Sequence, residues 1–512
     1  MGSKNNKNDD FMLGDILLPV MELMTLIIMA LMDLATKGIM WGGNKALDKL
    51  FNREAPLIKI ERDDLKVSKS TLKDDDLGYS ITAKRSLKLS ELNRKLHTAV
   101  IGASGSGKSA LLDVLMFDDM MANKPIIFID PKGDNGSLQN FINLCRIAKR
   151  DYLIFSEHYN GYGAAALNPV KDGSVTNIAD RIHHSFTWTE EHYALLCYNA
   201  LKDAIALLKT TLKTPITLRD IYNKLLDSTK GSEANPAAYD KKDIQGIITR
   251  ISNVIDSDFG ERLTGTDAYS VGQLRSSNKC IYVGLSVLGY AEIARSLGKI
   301  ILGDLAYSVY DTYKKISVMG SHVSSPVGIY IDELSAVITN EFIEILNKCR
   351  GAKMEITFAF QSPSDIAKVD PHLAIQVLEN ASNWFVFKQR MEDGANMFAS
   401  AIGTLPSRKF TKRVENGKEL AQGSQRDVEE LIAHHNVIKN LRTGQCVLLR
   451  HSPTRVDLVN VKYINPAVVE DNVRYLEFNK MIGPIPAVVQ ISTDTQEKAK
   501  TGNEKFTVEG GD

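Results

Sequence analysis

The sequence predicts an α/β fold built on a parallel sheet covered by helices on both sides, and two observations predict it. The first is a set of short apolar runs that alternate with helical stretches: HTAVIGA (97–103), PIIFID (125–130), DYLIFS (151–156), CIYVGLS (280–286), VGIYIDE (327–333), ITFAFQS (356–362), WFVFKQ (384–389) and CVLLR (446–450). Their hydrophobicity is continuous rather than alternating, which marks strands buried on both faces. The second is a glycine-rich turn, GASGSGKS, between the first of these runs and a helical stretch. It fits the G-x-x-x-x-G-K-[ST] pattern of a phosphate-binding loop in the strand–loop–helix setting that the pattern needs.

Around this core the chain divides by composition. At 512 residues it can hold one large nucleotide-binding domain with an insertion and appendages. We place an N-terminal segment at 1–50, a linker at 51–95, the α/β domain at 96–174 and 274–465, an all-α insertion at 175–273, and a polar, disordered tail at 466–512. The insertion shows no comparable strand runs; Tyr193–Leu212, Leu218–Leu226 and Ile244–Ile255 carry apolar residues at helical spacing. An insertion at a loop leaves the core of a βαβ sheet intact.

Phe11–Trp41 is apolar and methionine-rich, and Ile16–Met32 is interrupted only by Glu22. It has the length for one tilted membrane span, not two. Asp15, Glu22, Asp33 and Lys37 count against a lipid-exposed helix. The segment reads as membrane-associated, with a soluble amphipathic docking helix as the alternative. Lys37, Lys45, Lys49 and Arg53 place its C-terminal side in the cytoplasm if it spans.

Charge and cysteine content narrow the classes. Lysine plus arginine equals aspartate plus glutamate at 62 each, so no global field drives the chain onto nucleic acid, and any basic surface is local. The five cysteines are far apart in sequence and lack a CxxC pair, which indicates neither a disulfide framework nor a zinc site.

The chemistry lies at strand ends. In the loop formed by Gly102, Ala103, Ser104, Gly105, Ser106, Gly107, Lys108, Ser109 and Ala110, glycines let backbone N–H groups turn toward phosphates, and the next helix adds its positive end. Lys108 is placed to reach the β- and γ-phosphates of ATP, and Ser109 to ligate Mg²⁺. Asp332 and Glu333 emerge at the end of GIYIDE, where ligands bind in open α/β sheets. Asp332 suits the Mg²⁺ site and Glu333 the activation of water. Gln361 ends the next run and stands as a sensor of the γ-phosphate; Arg350, just before that run, is a candidate arginine finger for a neighbouring subunit. Asp130 and Lys132, in FIDPKGD, are at another strand end.

Taken in order, GASGSGKS, IDPKGD, LNPV (167–170), a helical insertion, IYIDE and R-G-x(9)-Q-S resemble the type IV secretion coupling proteins of conjugative elements, relatives of the DNA-pumping ATPases of chromosome segregation. The resemblance covers about 95–465. It implies a RecA-like P-loop domain with an all-α domain that faces the relaxosome, a homohexameric ring and an anchor in the bacterial inner membrane. Lys108, Ser109, Asp332, Glu333, Gln361 and Arg350 match the functional positions of that family. Many of its members have two transmembrane helices, and Phe11–Trp41 is too short for two. The function implied is ATP hydrolysis coupled to moving a relaxase bound to single-stranded DNA toward a secretion channel. A double-stranded DNA pump or an ATPase for protein effectors is the nearest alternative. A membrane-bound receptor or assembly platform gated by ATP binding is a non-motor alternative.

Overall fold

The structure is a computed structural model that describes residues 58–465, apart from 67–75, 158, 232–236, 264, 266–267, 320–325 and 416–417, together with 478–479. The chain divides into two compact units, 1–57 with 453–455, and 58–452 with 456–512; the second is described below. The segment Phe11–Trp41 and the tail predicted to be disordered, 478–479 aside, lie outside the described residues.

All eight apolar runs are strands. Thr98–Ile101 (β3), Ile126–Asp130 (β4), Tyr152–Phe155 (β5), Cys280–Gly284 (β6), Val327–Ile331 (β7), Met354–Phe360 (β8) and Asn383–Phe387 (β9) are buried at every position. They lie side by side in the order β9-β3-β8-β7-β4-β6-β5, all parallel. Burial on both faces explains why each reads as unbroken hydrophobicity. Four antiparallel strands extend the sheet beyond β9: Gln445–His451 (β12), Thr454–Val461 (β13), Gly78–Ser80 (β1) and Arg85–Leu87 (β2). Thr404–Glu415 (β10) and Lys418–Leu431 (β11) pair only with each other, as a separate hairpin.

Helices follow in chain order. Lys108–Met121 (α1) and Asn135–Ile147 (α2) connect β3 to β4 and β4 to β5. Their apolar residues, Leu111, Leu115, Phe141 and Ile142 among them, join Val100, Phe128 and Tyr282 of the sheet in one core. The described residues between β5 and β6 include Val175–His183 (α3), Glu191–Thr211 (α4), Leu218–Ser228 (α5), Lys241–Ile255 (α6) and Val271–Ser276 (α7). α5 starts where Thr217 caps the N–H of Asp220 and the Asp220 carboxylate accepts from Thr217 N–H, a reciprocal cap that satisfies two orphan donors. The apolar face of α4 differs from expectation at its start. Leu195 is exposed, and burial begins at Cys197 and runs through Ala200, Leu201, Ala204, Ile205 and Leu208.

Ala291–Met319 (α8), 29 residues long, leads from β6 toward β7. Glu341–Cys349 (α9) precedes β8, Glu392–Ile402 (α10) follows β9, and His435–Asn440 (α11) precedes β12. Among the described residues no helix is long and apolar enough to cross a membrane. The five cysteines are free and buried.

In a parallel sheet the C-terminal strand ends share one edge. The turns after β3, β4, β7 and β8 therefore meet there, and β8 sits between β3 and β7.

Candidate nucleotide-binding site

The loop after β3 bends through left-handed conformations at Gly105 (φ 73°) and Gly107 (φ 112°). At Gly107 a Cβ would also come within 3.0 Å of Gly444 N, so both backbone geometry and space select glycine. The turn delivers Lys108 and Ser109 at the first positions of α1, where unpaired N–H groups and the helix dipole favour an anion. Lys108 Nζ donates to the carbonyls of Gly102 at 2.6 Å and Ala103 at 3.3 Å. Burial draws its pKa below the usual lysine value, opposed by the charges of Asp332 and Glu333.

β7 brings Asp332 to the same place. Ser109 Oγ donates to Asp332 Oδ2 at 3.4 Å, and Lys132 Nζ pairs with the same oxygen at 3.5 Å. Asp332 Oδ1 is buried with no hydrogen-bond partner. A hydroxyl beside a carboxylate with an oxygen to spare is a donor set that fits Mg²⁺, which takes few protein oxygens and completes its shell with water and phosphate. Among the described residues no group of three or more His, Cys, Asp or Glu is arranged to hold a metal by itself.

Glu333 is held on both oxygens. Ser335 Oγ donates to Oε1 at 2.8 Å, and Gln361 Nε2, from the end of β8, donates to Oε2 at 3.1 Å. Its backbone lies in the left-handed region at φ 62°, an unfavourable position for a residue with a Cβ that aims the carboxylate back across the sheet edge. Asp130 closes the group from β4. It accepts from Tyr282 Oη at 2.7 Å and from Lys132 N at 3.0 Å, and burial raises its pKa.

Thus Lys108, Ser109, Asp332, Glu333 and Gln361 come together at one edge. Arg350 does not join them. It is exposed, at the C-terminal end of α9 and before β8, on the opposite edge of the sheet. Seven residues of β8 at ~3.3 Å each put about 23 Å between those edges.

Three further residues touch this region and carried no pattern to find them by. Arg390 Nη2, beyond the end of β9, donates to Ser104 O at 3.5 Å, and Thr443 Oγ1 donates to Gly105 O at 3.4 Å. Asp113 is one turn after Ser109 on α1; burial pushes its carboxyl up to about 7, and the Asp332 charge adds to the effect.

Two family models match the chain: the central domain of helicase HerA over 78–279, and the TraM recognition site of TraD and TraG over 326–442. No curated protein sequence gives a significant match. Among solved structures, the unbound bacterial conjugative coupling protein TrwBdeltaN70 is 14% identical, with a TM-score of 0.56 over 83% of this chain and 96% of that one. Plasmid coupling protein TrwB in complex with ADP and Mg²⁺ is 16% identical, with a TM-score of 0.55 over 82% and 95%. VirB4 of Thermoanaerobacter pseudethanolicus is 12% identical, with a TM-score of 0.51 over 77% and 98%. In its fold, the order of its motifs and its match to the TraD and TraG region, this chain resembles the P-loop ATPases that act as coupling proteins in bacterial conjugation.

Proposed function

We propose that this protein is an ATP-hydrolysing coupling protein of conjugative DNA transfer, which brings a relaxase bound to single-stranded DNA to a secretion channel and drives its movement. The observation that carries the reading is the pairing of Glu333 with Gln361 beside the Lys108–Ser109 loop and Asp332. That set has what hydrolysis of a phosphoanhydride needs, and the family match at 326–442 supplies the biological setting.

Each residue then has a task. The backbone N–H groups of Gly102–Ala110 hold the phosphates of ATP. Lys108 leaves the carbonyls of Gly102 and Ala103 for the β- and γ-phosphates, the usual role of that lysine. Ser109 and Asp332 would hold Mg²⁺, which would supply positive charge against the phosphates. Glu333 accepts a proton from the attacking water as that water's oxygen bonds to the γ-phosphorus and the bridge to ADP breaks. The Gln361 amide, already on Glu333, shifts toward the γ-phosphate and registers its loss. Arg350, on the far edge, is suited to the neighbouring subunit's phosphate in a homohexameric ring, where heterologous contacts repeat around the axis.

The remaining assignments follow the resemblance. The helical insertion at 175–273 receives the relaxosome, and the segment Phe11–Trp41 associates with the inner membrane near the secretion channel while the ATPase domain stays in the cytoplasm. The test is the ATPase rate of the full chain with single-stranded DNA, double-stranded DNA or none, at two salt concentrations, with Lys108→Ala as the blank. Stimulation by single strands that weakens with salt is expected. An equal rate in all three arms would turn the reading toward a protein-secretion receptor or an assembly platform.

A further inference from the structure

Arg350 sits in a short turn, 350–353, between α9 and β8, and that turn and its flanks are tied to three other parts of the fold. At the start of β3, His97 Nδ1 accepts from Ile356 N at 3.2 Å, and its Nε2 is 3.4 Å from Cys349 Sγ. From α8, Tyr313 Oη donates to the Lys348 carbonyl at 2.7 Å. The tyrosine packs so closely on Gly351 that a Cβ there would come within 2.0 Å of Oη and would have to push the ring aside. From α7, Arg275 donates through Nη2 to the Ala352 carbonyl and through Nη1 to Thr312 Oγ1, the latter at 2.6 Å.

The Arg275 contact is informative because of its cost. Its guanidinium is buried, and among the described residues no carboxylate pairs with it. Nε has no partner at all. An apolar side chain of similar volume would serve packing better, so a cation kept there to join the Ala352 carbonyl to the Thr312 hydroxyl of α8 points to placement of the turn. The helix that carries Arg275 is itself hung on α8 and α3: Asp304 Oδ2 accepts from Val271 N at 2.8 Å, and Asp304 Oδ1 pairs with Arg181 at 3.0 Å. The last helix before β6, the long helix and the turn of Arg350 thus share one set of contacts.

We infer that Arg275 and Tyr313 are positioning residues for Arg350: they fix the turn from which its guanidinium reaches the next subunit, and they tie that turn to α7 and α8. The inference rests on the trans role of Arg350 proposed above.

The experiment uses assembled full-length protein and compares Arg350→Ala, Arg275→Met, Tyr313→Phe and the double variant Arg275→Met/Arg350→Ala in kcat, KM for ATP and thermal midpoint. Tyr313→Phe removes one oxygen from a partly exposed ring, so it reports even if Arg275→Met folds poorly. Both single variants should lower kcat roughly tenfold or more with KM unchanged, since a small misplacement of a transition-state group is enough for that. The double variant should be no slower than Arg350→Ala alone, because residues that act through one group are not additive. Mixing Arg275→Met subunits with Glu333→Gln subunits, whose turns are intact, should recover activity. Full activity of Arg350→Ala would overturn the finger, and this inference with it. A slow Arg350→Ala beside fully active Arg275→Met and Tyr313→Phe, an additive double variant, or no recovery on mixing would overturn the inference alone.

Discussion

Glu333 and His97 are each one residue whose surroundings determine what a measurement should show. Glu333→Gln keeps the shape and can still meet Gln361 and Ser335, yet it cannot take a proton. ATP binding should persist while turnover falls by roughly 10²- to 10⁴-fold, the usual worth of a general base. Equilibrium binding of a labelled nucleotide beside a phosphate-release assay separates the two, and turnover within a few-fold of wild type would remove Glu333 from the mechanism. His97 bears on stability. Burial holds its pKa down at about 4, and it stays neutral with Nδ1 accepting from Ile356 N. In the unfolded chain it titrates at its ordinary 6.5. The contribution is therefore fully present above pH 6.5, declines as the unfolded state takes up the proton, and is lost as pH falls through about 4; it amounts to roughly 3 kcal/mol. Urea midpoints should fall over that window, and His97→Asn, which tolerates the same left-handed backbone and cannot titrate, should flatten that part of the profile. An identical slope in the variant would show that other groups set it.

Elements were legible where burial imposes one pattern and illegible where it does not. β3 through β9 announce themselves because each is apolar on both faces, and the phosphate loop and the acidic pair stand out at their ends. β13 is just as deeply placed from Val456 on but reads as mixed, since Asp457 and Asn460 are buried with partners: Ser80 Oγ and Arg450 Nη2 on Asp457, Gln445 Nε2 on Asn460. Polar groups satisfied across strands hide a core strand from any hydrophobic pattern. β1 and β2, three residues each, are too short to show a period. The β10–β11 hairpin is solvated on both faces through much of its length, so no apolar alternation betrays it; the Asn416-Gly417 pair between Glu415 and Lys418 was its one sequence signal. This hairpin has its own consequence for function. Among the residues whose side chains are described it carries Arg408, Lys409 and Arg426 near the exposed ring of Phe410, with Arg408 paired to Asp427 and Lys409 to Glu430. Basic groups with an exposed ring are the composition of a single-strand contact. Shortening the hairpin to its base should leave ATPase without DNA unchanged and weaken salt-sensitive strand binding, read by fluorescence anisotropy; unchanged anisotropy would place DNA contact elsewhere.

At the scale of the whole molecule, the separation of Arg350 from the loop decides how activity should depend on assembly. Lys108, Asp332 and Glu333 lie on one edge of the sheet and Arg350 on the other, about 23 Å away by the length of β8. No motion within a folded sheet closes that gap, so if Arg350 stabilises the transition state it does so for a neighbour. The sequence made Arg350 a candidate finger for a neighbouring subunit, and the run of β8 shows how far it stands from the loop of its own subunit. Turnover per subunit should then rise with protein concentration as subunits associate, and level off once they are assembled. Arg350→Ala should remain slow at every concentration, while sedimentation shows it assembling as wild type does, because the residue is exposed and its removal opens no cavity. A wild-type rate per subunit that stays constant from monomer to full assembly would mean that each site works alone, and Arg350 would then be a surface residue at the end of α9.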